Sequence, residues 1–214
     1  MAADEDLSVL KGVWAAACAE AGVERYELAF QLIEYAYAAP DRHYHNVRHV
    51  AECLRELAPV RPACQDALAV EVALLFHDFE YHPARHDNEE RSAEQAATAL
   101  RAIGWVAARI QVVRGLILAT KHAAAPATPD AAVVVDVDLS VLGKGEDEFD
   151  AYERAIRREY AHVPDDAFRA GRAAVLRNFL SRPRLYATDY FADRYEMKAR
   201  QNLARSLSAL ADRA

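Results

Sequence analysis

Residues 67–76 read ALAVEVALLF, and the run ends in His77 and Asp78. Coiled into a helix, this stretch presents apolar side chains on nearly every side, so it is stable only with protein packed around it. The rest of the chain supplies the wrapping. Seven glycines and eight prolines interrupt 214 residues, and the intervals between them carry apolar residues at helical spacing. The pattern predicts opening helices over 6–20 and 25–38, ended by Pro40 and Asp41. A third helix, capped by Asn46 or a neighbour, carries Val47, Val50, Leu54 and Leu57 on one face. The apolar helix follows over about 63–77, beyond Pro59 and Pro62. Asn88 opens a further helix with Glu89 and Glu90 in its first turn, another spans 105–121, and helices over 148–161, 165–181 and 190–211 finish the chain. The segment AAVVVDVDLSVLG (131–143) is ambiguous: its valines suit a strand and its neighbours suit a buried helix. The preferred reading is a helix from about Asp136 onward. The fold class is all-α, a single domain over 1–214, with a core over about 41–142 and C-terminal helices over about 148–211.

Hydrophobic residues make up 53% and charged residues 28%, a globular balance. A net charge of -7 makes long nucleic acids poor partners, whereas a small phosphorylated ligand needs only a local group of cations. Three cysteines (Cys18, Cys53 and Cys64) have no framework spacing and suggest a reducing, cytoplasmic setting. The acidic start MAADEDLSVLKGVW does not read as a signal peptide. No apolar run approaches the roughly 20 residues that a membrane helix needs.

Chemistry concentrates at the ends of apolar elements. His45 and His49 are four apart and share a helix face. His77 and Asp78 close the apolar helix, and Asp136 and Asp138 interrupt the valine run. An isolated His-Asp pair or a lone Asp-x-Asp is a weak signal. Three apolar elements that each end in such residues are better explained together by one divalent ion, since imidazole and carboxylate suit a transition metal or magnesium.

The order His49, His77-Asp78, Asp138 resembles the HD superfamily of metal-dependent phosphohydrolases. YHNVRH (44–49) resembles the Y-H-N-x-x-H segment of cyclic nucleotide phosphodiesterases. FHDFEY, NEERSA, DVDLSVLG and IRREY resemble segments of a group of bacterial predicted HD phosphohydrolases. The resemblance runs from Arg42 to the C-terminus and implies an HD-type helical bundle. It also implies His49, His77, Asp78 and Asp138 as ligands of a divalent ion that activates water against a phosphate ester, with a nucleotide as one candidate. On a helix of about 3.6 residues per turn, Asp136 and Asp138 point about 200° apart. Asp138 is therefore assigned to the ion, and Asp136 to an N-cap or a position behind the ligands; in an extended chain the choice reopens. Asn46 and Glu89 are the other supporting candidates.

Two His and two Asp would fill a tetrahedral zinc shell. Mn, Mg, Fe, Co or Ni, with open octahedral positions, suits hydrolysis better. His45 resembles the phosphodiesterase histidine that protonates the leaving oxygen; a supporting role behind a ligand is its alternative. His122 is expected at the pocket from its place in the family pattern, or else as a cation at a helix C-terminus. Tyr81 stands where the phosphodiesterases have a further His, so a second ion, drawing on His82, His86 or His122, is an open question. Lys121, Arg157 and Arg172 are the candidate phosphate-binding cations. A di-iron oxygenase and a non-catalytic metal-dependent nucleotide-binding or sensor protein are the alternative functions. The sequence leaves the oligomeric state open.

Overall fold

A computed structural model describes residues 2–211, which form helices joined by turns and loops, with no strand. The chain forms two compact units, Met1–Asp138 and Leu139–Ala214. No helix among the described residues is long and apolar enough to cross a membrane.

The first unit contains α1 (Ala2–Glu20), α2 (Glu27–Tyr37), α3 (Val47–Leu57), α4 (Ala67–Phe76), α5 (Asn88–Ala102), α6 (Ala107–Ala119) and α7 (Pro129–Asp138). Its centre is α4, the helix that the sequence requires to be surrounded. α1, α3, α5, α6 and α7 all pack on it, and Ala69, Val70 and Val72–Phe76 are buried. Its single charge, Glu71, accepts from Arg61 Nε at 2.6 Å and Nη2 at 3.1 Å.

α4 begins at Ala67, later than the apolar pattern suggests, for a local reason. Asp66 accepts from Ala69 N at 3.0 Å and caps the helix. Residues 61–63 form a separate 3₁₀ turn. Asp66 also receives Nε and Nη2 of Arg109 from α6, each at 2.7 Å. Buried Asp130, in the first turn of α7, accepts from Gln65 N at 2.8 Å and Asp66 N at 2.9 Å. The start of the central helix is thus tied to both neighbours.

The ambiguous valine segment is corrected by the structure. α7 begins at Pro129 and ends at Asp138, and a 3₁₀ turn covers Leu139–Gly143. The helix therefore starts seven residues before the expected Asp136. Thr128 Oγ1 accepts from Ala131 N at 3.1 Å and Pro129 suits a first turn. Burial of Val134, Val135 and Val137 against the flanking helices outweighs the modest helix propensity of β-branched residues. Asp136 lies inside α7 and is fully buried, so it is not the N-cap that the sequence suggested.

The second unit holds the 3₁₀ turn, α8 (Glu146–Glu159), α9 (Asp165–Ser181) and α10 (Asp189–Ala211). α10 lays Phe191, Tyr195, Ala199, Asn202 and Leu203 into this unit's interior. A Cβ at Gly143 would stand 2.5 Å from Tyr195 Cβ, so α10 passes where only glycine fits. Asn202 Nδ2 then donates to Leu142 O and Lys144 O, both at 2.9 Å.

Candidate metal centre

The site is assembled from α3, α4, α7 and the loops beside them. Asn46 caps α3: its Oδ1 accepts from Arg48 N at 3.0 Å and His49 N at 3.4 Å, while Nδ2 donates to His43 O at 3.2 Å. This places His49 in the first helical turn, buried on the inner face. His77 directly follows α4, and its Nδ1 lies 2.8 Å from Leu74 O. A carbonyl only accepts, so Nδ1 carries the hydrogen and Nε2 of the neutral ring holds a lone pair.

Arg42 ties the loop before α3 to the chain leaving α4. Its Nη1 donates to His45 O at 3.1 Å and Asp78 O at 2.6 Å, and its Nη2 to Phe79 O at 2.7 Å. The cation thereby satisfies carbonyls beyond the C-terminus of α4, where positive charge is favoured. Nothing in the sequence pattern pointed to this role for Arg42.

Four side chains from three parts of the sequence converge. His49 Nε2 lies 3.1 Å from His77 Nε2, 3.4 Å from Asp78 Oδ2 and 3.4 Å from Asp138 Oδ1. His77 Nε2 lies 2.9 Å from Asp78 Oδ2 and 3.5 Å from Asp138 Oδ1. Asp78 Oδ2 is buried yet has no hydrogen bond of acceptable geometry. Such an atom is costly unless a cation meets it. Lone-pair donors about 3 Å apart around an unsatisfied carboxylate oxygen are the arrangement a divalent ion requires, given metal–ligand bonds of about 2.1 Å. The residues therefore fit a metal ion.

Cys53 stands with His49, His77 and Asp138, a residue that the sequence pattern did not single out as a ligand. Among the described residues, His49, Cys53, His77 and Asp138 form a group of potential metal ligands whose donor atoms lie within 4.8 Å of one another. The signal is a His-x-x-x-Cys spacing on a helix, which puts both residues on one face. A search of the cysteines for disulfide spacing alone passes over it; all three are free thiols.

Electrostatically the cluster is a set of opposed charges. Burial works against charge on His49 and His77; the Cys53 thiol and Tyr44 beside His49, and Asp78 and Asp138 beside both, outweigh it and hold both imidazoles well above their ordinary pKa. Burial likewise works against Asp78 and Asp138, and the surrounding imidazoles hold both carboxyls well below the usual carboxylate range. The carboxylates thus demand positive charge, which two protonated imidazoles or a metal ion can supply.

His122 meets this cluster from outside. α6 ends at Ala119, and His122 adopts a left-handed backbone with φ 54°. Its Nε2 donates to Asp138 Oδ2 at 2.8 Å, leaving Oδ1 toward His49 and His77. His45 stacks on Tyr81, with ring centroids 4.0 Å apart, and lies edge-on to His49 at 5.9 Å. Tyr81, the departure from the phosphodiesterase pattern, is thus the surface that holds His45.

The remaining candidates have the following partners. Lys121 pairs with Glu90 and donates to His86 O at 2.9 Å; Glu89 lies in the first turn of α5, where its charge acts on that ammonium. His82 and His86 lie in the polar loop before α5, and Asn88 clasps His82 through its amide and carbonyl. Arg157 and Arg172 belong to the second unit. Arg157 donates to Tyr160 O, Val163 O and Asp165, and Arg172 binds Glu153 and Tyr152 Oη. Their hydrogen bonds are taken up within that unit.

Comparison with protein-family models, curated proteins and solved structures finds no match.

Proposed function

We propose that the chain is a metal-dependent phosphohydrolase of the HD type, acting on a small phosphate ester such as a nucleotide. The observation that carries this reading is the meeting of His49, His77, Asp78 and Asp138 at 2.9–3.5 Å, residues whose order in the chain resembles that superfamily. The lone pair on Nε2 of a neutral His77 and the buried oxygen of Asp78 support the bound ion, and the resemblance alone supports the reaction.

His49, His77, Asp78 and Asp138 would hold one divalent ion of the group Mn, Mg, Fe, Co or Ni. A bound ion would supply positive charge against the phosphate and lower the pKa of a water molecule. The chain's own groups do the rest. His122 fixes the rotation of the Asp138 carboxylate, so that one oxygen faces the imidazoles. Arg42 fixes the backbone on which Asp78 and His45 sit. His45, held flat against Tyr81, would give a proton to a leaving oxygen.

Elemental analysis of the purified chain tests the reading, together with a phosphate-release screen using the metal found. About one ion per chain, lost with turnover in Asp138→Ala, is the expected result. Full metal content and full turnover in that variant would overturn it.

A further inference from the structure

We propose that Cys53 supplies a sulfur donor to this metal centre and that the site consequently selects a sulfur-tolerant divalent ion, such as Fe²⁺, Co²⁺ or Ni²⁺, over Mg²⁺. The inference rests on the metal-site reading above and specifies which ions it takes. Cys53 follows His49 by one helical turn on α3 and is buried. Its Sγ lies 3.8 Å from both ring nitrogens of His49 and within 4.8 Å of the donor atoms of His77 and Asp138. The sulfur is therefore one of four converging donors.

A second observation points to a ligand at the same place. Asp78 Oδ2 is buried 2.9 Å from His77 Nε2 and 3.4 Å from His49 Nε2, with no hydrogen bond of acceptable geometry. A thiol is a weak hydrogen-bond donor and does little for such a group, whereas a cation satisfies the carboxylate and the sulfur together. Oxygen-rich sites suit magnesium. Two imidazoles, a thiolate and carboxylates form a softer set that favours later transition ions. With the four donors of this group engaged, a six-coordinate ion keeps two positions for Asp78, water or substrate.

The test is cobalt substitution of the full chain under reducing conditions, followed by absorption spectroscopy. Wild type and a Cys64→Ser control should show visible ligand-field bands and a near-ultraviolet sulfur-to-cobalt charge-transfer band. Cys53→Ser should keep the visible bands, lose the charge-transfer band and lose on the order of tenfold in its preference for Co²⁺ over Mg²⁺. Visible bands without the charge-transfer band in wild type, or a band that persists in Cys53→Ser, would overturn the sulfur assignment and leave the metal site standing. Failure of wild type to retain cobalt would overturn the metal reading itself. Should Cys53→Ser fail to fold by circular dichroism, X-ray absorption of the wild-type cobalt protein decides the matter, by presence or absence of a sulfur shell at about 2.3 Å.

Discussion

His122 holds a backbone conformation that few side-chain-bearing residues tolerate, and it does so where its imidazole reaches Asp138. Asparagine is among the residues that accept the left-handed region. His122→Asn should therefore keep the turn, with a melting temperature near that of wild type, and lose the bond to Asp138 Oδ2. Metal affinity, measured by chelator competition, should fall roughly 10- to 100-fold, the usual effect of removing a group that orients a ligand. Unchanged affinity would mean that Asp138 is held by other contacts. His122 also marks a limit of sequence reading. Its distance along the chain from Asp138 carries no information about the positive φ that aims it. His49 and His77-Asp78 are easier to single out, because each ends or opens an apolar element that must pack in the interior. Cys53 is equally accessible through its four-residue spacing from His49.

At the level of elements, α3 depends on its cap. Asn46 satisfies two N–H groups at the helix start and also donates to His43 O. Asn46→Ala should cost about 1 kcal/mol in a denaturation experiment. Because His49 stands in the capped turn, metal affinity should fall with it; a stability loss with unchanged metal affinity would show that packing alone fixes His49. The apolar faces of α3 and α4 are legible because polar and apolar side chains segregate, or because polar ones are nearly absent. α7 is not, since valines that would serve a strand serve a buried helix when neighbouring helices cover them. The bonds from Asp130 to the start of α4 are also illegible in advance, because they join positions more than sixty residues apart.

For the whole molecule, the charge cluster sets a pH dependence. Without metal, the low carboxyl pKa values of Asp78 and Asp138 add stability above their ordinary range, lost as pH falls through and below about 4. The raised pKa values of His49 and His77 add stability that is complete below about 6.5 and is lost as pH rises through the raised values. Metal-free protein should thus show a melting-temperature maximum between these limits. Saturating metal should remove the alkaline decline, because the ion replaces the protons. Calorimetry near neutral pH in buffers of different ionisation enthalpy should register proton release on metal binding. No proton release, or a metal-free profile flat on the alkaline side, would contradict the charge arrangement.

The donors are set in place by bonds that belong to the protein: the Asn46 cap, the ring of His77 on Leu74 O, the clasp of Arg42 and the reach of His122. Because those bonds run between protein groups and not through the ion, protein made in media of different mineral content should carry different occupants on one frame.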